Sequence, residues 1–287
     1  MATTIVRVLD SAGNWRPSGT IMPLAPDPGD PRGLTTPFHG RYRGPHNTGV
    51  PNRSQLKIPR FGGIFDVPDQ TYNDEYFMGF VEVRATGITF NRCYFEVQDA
   101  LYGVNSTVQT TLIDCDIDGG TSKSVAVVAY GSVHYIRCHI FGGGQDSAGF
   151  GDGAQYDDCY IHGNIPHVGT HSDSVQMLSG DNLAVRRCKL LAYEVKTGDT
   201  NGFNSVMQIS PIGPMNGLEI HDNYVDGGGF AFNGRPAMPN VSGIDIRGNR
   251  WGHHAQFGPI VTEDRVAPPY GTYDTATNVF DTTGVPV

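Results

Sequence analysis

One short phrase recurs along this chain, and its spacing constrains the fold more than any other feature. Apolar residues alternate around a cysteine or an asparagine in seven segments, at residues 88–95, 109–117, 134–140, 154–161, 183–190, 218–225 and 244–251. Alternation is the period of a β-strand. A repeat of 21 to 35 residues indicates a solenoid, because one such unit cannot bury its apolar face without a neighbour.

The segments between the phrases supply turns and further strands. Each phrase ends in a turn rich in Gly, Asp or Asn, such as GGG at 142–144, and a second short apolar run follows. This pattern predicts an all-β chain folded as a right-handed parallel β-helix of about seven to eight coils. We assign the β-helix to residues 61–265, an extended Pro/Gly-rich arm to 1–60, and a segment that covers the last open strand edge to 266–287.

The repeated cysteines predict packing rather than chemistry. Stacked parallel strands hold equivalent Cβ atoms about 4.8 Å apart, whereas a disulfide needs about 3.5–4.5 Å. The chain has five cysteines, and an odd number leaves one thiol over. We therefore expect a column of reduced, buried cysteines, continued by the structural asparagines Asn223 and Asn249.

Several phrases resemble those of a known superfamily. The repeat is similar to the right-handed β-helix proteins of the pectate-lyase-like superfamily over roughly residues 60 to 265. Within it, the segments at 79–95, 171–176 and 205–230 resemble actinobacterial and actinophage β-helix proteins, which often contain the phrase H-x-D-G-[IV]-Q. Ser174 stands here in place of that glycine. The resemblance implies a virion or tail protein, and such spikes are usually trimers.

Basic residues are concentrated in the arm. The arm cations Arg32, Arg41, Arg43, Arg53, Lys57 and Arg60 lie in a stretch without acidic residues, although the whole chain carries a net charge of −9. An arm of this composition has no periodicity of its own. We therefore expect it to dock the protein on other virion subunits, pairing its charges with an acidic surface. The overall negative charge argues against nucleic acid as a partner.

Residues 145–176 hold the densest group of acidic and histidine side chains. A glycoside hydrolase needs two carboxyl groups about 5–5.5 Å apart for retention or about 6.5–9.5 Å for inversion. Adjacent coils can supply either distance, so Asp152 and Asp173 are the candidate catalytic pair, with His171 beside them. Both aspartates also have a structural interpretation, because carboxylates in turns and at strand entries bond backbone N–H groups.

A polysaccharide lyase would place different demands on the same region. It needs a base and a cation such as Ca²⁺ to stabilise the anion, and no other cofactor is expected. The nearby base candidates are Lys196, Arg186, Arg187 and His171. The irregular spacing of His162, His167 and His171 does not predict a metal site.

A polar strip for sugar binding is the alternative to catalysis. If Val175 and Met177 point inward, Gln176 faces outward, with Gln208 about one rung, ~4.8 Å, away. Asn204 flanks this pair, and the three amides form a candidate glycan-binding surface.

Two functions remain open on these observations. The first is a phage virion surface protein, of the tail-spike, minor-tail or decoration type, that docks through its arm and binds a host-surface glycan. The second is a polysaccharide lyase or glycoside hydrolase that acts on an acidic polysaccharide. The start MATTIVRVLD lacks the pattern of a secretory signal, so we expect synthesis in the host cytoplasm, location in the virion and no membrane partner.

Overall fold

The computed structural model describes residues 7–9, 15–17, 44, 47–97, 102–121, 127–167, 170–192, 202–210, 212–234, 241–261, 271–274 and 276–281. The chain divides into two compact units, Met1–Arg41 and Tyr42–Val287. In the first unit, β1 (Arg7–Leu9) pairs antiparallel with β2 (Trp15–Pro17). The sequence predicted no strand there, because strands of three residues are too short to show a period.

The second unit is built from short strands and one 3₁₀ turn at Arg53–Gln55. The strands of its first four coils are β3 (Arg60–Phe65), β4 (Thr71–Asn73), β5 (Tyr76–Val83), β6 (Thr89–Asn91), β7 (Tyr94–Glu96), β8 (Tyr102–Ile113), β9 (Asp116–Asp118), β10 (Val127–Ile136) and β11 (His139–Phe141). The strands that follow are β12 (Asp146–Gly149), β13 (Gln155–Asp157), β14 (Tyr160–His162), β15 (Ser172–Met177), β16 (Gly180–Arg186), β17 (Lys189–Ala192), β18 (Phe203–Ile209), β19 (Met215–His221), β20 (Tyr224–Gly227), β21 (Phe230–Gly234), β22 (Val241–Arg247), β23 (Arg250–Trp251), β24 (Gly258–Val261), β25 (Gly271–Tyr273) and β26 (Val279–Phe280).

The strands stack into three parallel sheets, which confirms the predicted parallel β-helix. Sheet S1 runs from β3 through the first half of β10 to β12, β15, β18, β21 and β24. Sheet S2 contains β4, β6, β8, β10, β13, β16, β19, β22 and β25. Sheet S3 contains the first half of β5, then β7, β9, β11, β14, β17, β20, β23 and β26.

The described residues therefore form nine coils, somewhat more than the seven to eight expected. The seven sequence phrases leave out the first and last coils, where Glu75 and Asn278 occupy the register position of the cysteines and asparagines. Because β25 and β26 pair with β22 and β23, the β-helix also continues beyond residue 265 into the segment expected to cover it. No helix in the described part of the chain is long and apolar enough to cross a membrane.

The predicted column of cysteines and asparagines lines the turn between S2 and S3. All five cysteines are buried free thiols. The backbone N–H of Cys188 donates to Asn223 Oδ1 at 2.8 Å, where the column changes residue type. Asn223 Nδ2 then donates to Asn249 Oδ1 at 3.0 Å, and Asn249 Nδ2 to Asn278 Oδ1 at 2.9 Å. This ladder satisfies the polar groups of fully buried asparagines.

A second ladder lies one residue before the first. The residues there adopt the left-handed conformation, with φ between 52° and 57°, although they are not glycines; they are Asp74, Arg92, Asp114, Arg137, Asp158, Arg187 and Asp222. Acidic and basic residues alternate from coil to coil. Three ion pairs join them, at 2.7 Å for Arg92–Asp74, 2.7 Å for Arg137–Asp114 and 3.1 Å for Arg187–Asp158. The charge alternation thus offsets part of the backbone strain.

The last part of the predicted arm lies on the outer face of S3 of the same chain. Gly49 donates its N–H to Arg137 O at 2.9 Å. Arg53 contacts Asp116 at 2.8 Å and covers the ring of Tyr94. The remaining contacts are Lys57 with Glu75 at 2.7 Å and Arg60 with Glu75 at 3.2 Å.

Arg53, Lys57 and Arg60 thus pair within this chain, and docking of the arm on a neighbouring subunit stays a prediction. The three cations bind this chain because the acidic face that they match belongs to its own S3. The other arm cations, Arg32, Arg41 and Arg43, lie outside the described residues.

Candidate functional site

A buried cluster of polar side chains lies at the corner where the chain passes from S3 to S1. Asp146 begins β12, and Asp173 follows the first residue of β15 in the next coil. The backbone N–H of Asp173 donates to Asp146 Oδ1 at 3.0 Å. Asp146 is 7% exposed and Asp173 is 0% exposed. The structure therefore places two carboxyl groups side by side inside the protein, where unpaired charge is costly.

The next coil binds one oxygen of Asp173 and leaves the other without a partner. Asn204 Nδ2 donates to Asp173 Oδ1 at 2.9 Å, and the backbone N–H of Ser205 donates at 2.8 Å. Ser205 Oγ lies 2.6 Å from the same oxygen. Among the described residues, the buried Asp173 Oδ2 has no hydrogen-bond partner. Asp173 Oδ1 therefore has three hydrogen-bond partners, and Asp173 Oδ2 has none in the described part of the chain.

The predicted glutamine pair is in register, but only one member reaches the surface. Gln176 and Gln208 are paired residues of β15 and β18, as the sequence predicted. Gln208 is 2% exposed, and its Nε2 donates to Ser210 Oγ at 2.6 Å. Its Oε1 lies 3.0 Å from Ser205 Oγ. Gln208 therefore supports the Asp173 cluster from inside, which corrects its assignment to a solvent-facing strip, whereas Gln176 and Asn204 are half-exposed.

Asn164 is a member of the cluster that the sequence did not reveal. It is 4% exposed, and its Nδ2 donates to Gln145 O and to Asp173 O, both at 2.8 Å. Its Oδ1 accepts from Ser147 Oγ at 2.6 Å. Asn164 lies in a glycine-containing turn, where asparagine is common for local reasons, so nothing in the sequence marked it as a long-range contact.

The pKa of each carboxyl group in the pair is raised by burial. Burial, reinforced by repulsion from Asp173, raises the pKa of Asp146 to about 8. Burial also raises the pKa of Asp173, while hydrogen bonds from Ser205 and Asn204 and the nearby His171 oppose that shift. With a pKa of about 8, Asp146 therefore keeps its proton at neutral pH.

The predicted catalytic pair of Asp152 and Asp173 is not brought together. Asp152 lies in the turn that follows β12, at the opposite end of S1 from Asp173, and its Oδ1 accepts from Asp181 N at 2.8 Å. Its role is the turn interaction that the sequence also allowed. The true neighbour of Asp173 is Asp146, and His171 is exposed beside the cluster.

The base candidates for a lyase lie elsewhere or outside the described residues. Arg186 pairs with Glu219 at 2.7 Å and Arg187 with Asp157 at 2.7 Å, both on or next to S2. Lys196 lies outside the described residues. No group of three His, Cys, Asp or Glu side chains in the described part of the chain is arranged to hold a metal ion.

An exposed aromatic residue extends the site towards the C-terminus. Gly229 donates its N–H to Asn204 O at 2.9 Å, and Phe257 donates its N–H to Gly229 O at 2.8 Å. These three residues therefore stack on successive coils at the S3–S1 corner. The Phe257 side chain is 67% exposed, and its ring centroid lies 5.6 Å from that of Phe230. The Phe257 ring also lies against Gly229, the residue between it and Asn204 in the stack.

Comparison of the chain with protein-family models, with curated proteins and with solved structures found no match. The fold is therefore established by the strand pairing, and the pectate-lyase-like and phage resemblance rests on the repeat phrases alone.

Proposed function

We propose that this chain is a phage virion surface protein whose β-helix binds a host-surface glycan at the S3–S1 corner. The observation that carries the proposal is the exposed ring of Phe257 above the half-exposed Asn204. Sugar rings present apolar C–H faces and hydroxyl groups, so an aromatic platform beside amide groups is suited to both. Gln176 supplies a further amide from the preceding coil.

The buried cluster beneath this surface supports binding by holding it rigid. Asn204 donates to the Asp173 carboxylate, and Asp173 is held in turn by the backbone N–H of Ser205 and by the side-chain amide of Asn164. A preorganised amide loses little conformational entropy when it binds a hydroxyl group. This is the contribution we assign to Asp173, in place of the catalytic role predicted from the sequence.

Glycan binding by the purified full chain tests this proposal. We expect retention on an array of bacterial surface polysaccharides, and we expect Phe257→Ala and Asn204→Ala each to weaken it about tenfold or more. Ile212→Ala is the matched control, because Ile212 is an apolar residue that is 84% exposed but lies in a turn between S1 and S2. Equal losses in all three variants, or none in Phe257→Ala, would contradict the assigned surface.

The virion location and the assembly have tests of their own. Antibody labelling of purified phage particles should decorate the particle surface, and labelling confined to lysate protein would contradict the location. Light scattering of the full chain should give a homo-oligomer such as a trimer, and a monomer at all concentrations would contradict that part of the proposal.

A glycoside hydrolase is the second candidate function, favoured by one observation. Asp146, with a pKa of about 8, holds at neutral pH the proton that a general acid needs, and Asp173 is a second carboxyl group beside it. Its burial argues for a structural role. New reducing ends from a polysaccharide, lost in Asp146→Asn, would favour catalysis. An unchanged rate in that variant would exclude Asp146 as the acid.

A further inference from the structure

A second concave surface lies on the same corner, closer to the N-terminus. It has a volume of about 420 Å³ and forms where three successive strands of S3 end. Asp118, Phe141 and His162 are paired residues of β9, β11 and β14. Their side chains therefore stand in one row along the stack and line the pocket together, and Thr121 adds a hydroxyl group.

The floor of this pocket is aromatic. The rings of Phe141 and His162 are inclined by only 16°, with centroids 6.1 Å apart. The His139 ring lies 4.3 Å from Phe141 and 5.0 Å from His162, so it holds both in place. Phe141 and His162 thus contribute two nearly parallel rings to the pocket lining, and an aromatic ring is a surface that the C–H groups of a sugar can contact.

The charge of the pocket is negative. Asp118 is its carboxylate, and hydrogen bonds from Gly120 N at 2.8 Å and Tyr94 OH at 2.6 Å hold it in place. His162 does not offset it, because burial, reinforced by His139 and Lys189, lowers its pKa to about 3. The described lining residues include no lysine or arginine. Among the described lining residues the charged group is Asp118, and its carboxylate repels an anionic ligand.

The pocket adjoins the cluster described above. Asn164, which binds the backbone of Asp173, lies between the pocket residues Gly163 and Ile165. Phe141 ends the S3 strand β11, and Phe257 follows the S3 strand β23 four coils later, which at about 4.8 Å per rung is a separation of about 19 Å along the stack. One oligosaccharide lying along the corner could contact both rings.

We propose that this pocket is a second sugar subsite that accepts neutral or amino sugars and disfavours uronates. The inference rests on the proposed glycan-binding function and narrows its ligand. The expected ligand is then a neutral or cationic polysaccharide, long enough to reach from Phe141 to Phe257, and not the acidic polysaccharide that the sequence suggested for an enzyme.

Calorimetric titration of the full chain with three hexasaccharides tests this inference. The probes are oligomers of N-acetylglucosamine, of glucosamine and of galacturonate, which are neutral, cationic and anionic. We expect the first two to bind at least about tenfold more tightly than the third. Phe141→Ala should weaken binding of the neutral and cationic oligomers about tenfold. Asp118→Asn should improve galacturonate binding and so bring its affinity closer to that of the other two oligomers. Phe61→Ala is the control, since Phe61 is 84% exposed at the N-terminal end of the β-helix.

The possible failures can be told apart. Galacturonate binding as tight as that of the other oligomers would overturn the charge selection. Loss of binding in Phe257→Ala, with no loss in Phe141→Ala and an unchanged galacturonate affinity in Asp118→Asn, would overturn this subsite and leave the proposed function standing. Absence of binding by all three oligomers would count against both. Asp118→Asn keeps the size of the side chain, so it tests the pocket even if Phe141→Ala does not fold.

Discussion

Replacing Asp146 by asparagine should make the protein more resistant to alkaline pH. The pKa of Asp146 is raised from 3.8 to about 8 in the folded chain, because the carboxyl group is buried beside Asp173. Between these values the folded state keeps a proton that the unfolded chain releases. The stabilisation is therefore fully present below about pH 4 and is lost as the pH rises to about 8.

The magnitude follows from the same linkage. Each pH unit between the two pKa values costs about 1.4 kcal/mol, so the rise from pH 5 to pH 8 costs the wild-type protein up to about 4 kcal/mol. Asparagine keeps an oxygen for the Asp173 N–H but has no proton to lose. Relaxation of the site reduces the effect, and we expect Asp146→Asn to gain about 2–4 kcal/mol relative to wild type over that interval.

Urea unfolding at pH 5 and pH 8 measures this gain. The midpoint of wild type should fall between the two pH values by clearly more than that of Asp146→Asn. Asp152→Asn is the control, because Asp152 is exposed in the following turn and should shift as wild type does. A stability difference between Asp146→Asn and wild type that is the same at both pH values would refute the buried-pair argument.

Three further perturbations test the ladders and the N-terminal segment. Asn249→Ala removes a fully buried ladder member and should lower the free energy of unfolding by about 2–4 kcal/mol, measured with urea. Arg137→Glu places a second carboxylate against Asp114 and should lower the free energy of unfolding by about 1 kcal/mol. Adding 0.5 M salt should reduce this loss, and a loss that does not depend on salt would contradict the ion-pair argument. Gly49→Ala puts a Cβ 1.8 Å from Asp116 Oδ1 at a φ of +72°, so limited proteolysis should cut residues 47–60 faster than in wild type.

The sequence predicted the parts of the fold that repeat. The turn between S2 and S3 contains two residues in each of the first eight coils, so its cysteine or asparagine returns at a recognisable position. That regularity was enough to predict the parallel coils, the reduced thiols and the register of Gln176 with Gln208. It could not reveal Glu75 as an equivalent position, because a half-buried glutamate at the first coil bonds Lys57 instead of stacking.

The candidate site was only partly predictable, because its members meet across insertions. Asp146 and Asp173 are 27 residues apart, and nine residues join β14 to β15 between them, whereas four join β11 to β12 in the preceding coil. The adjacency of two coils does not show which of the aspartates between residues 146 and 158 lies beside Asp173. Phe257 was missed for a related reason, since its single aromatic ring follows no repeat and its position above Asn204 depends on how the coils stack.

These differences explain why the site lies where it does. A coil must keep the S2–S3 turn short, because the stacked column and the paired charges there join each rung to the next. The S3–S1 corner is not constrained in this way: two residues join β20 to β21, whereas nine join β14 to β15. Insertions of that kind carry binding residues in many proteins, because they change the surface without disturbing the scaffold. The buried Asp146–Asp173 pair holds one such insertion in place through Asn164. Burial of the pair lowers the free energy of unfolding at high pH but keeps the surface above it rigid. The pH dependence of unfolding measures that loss of stability directly.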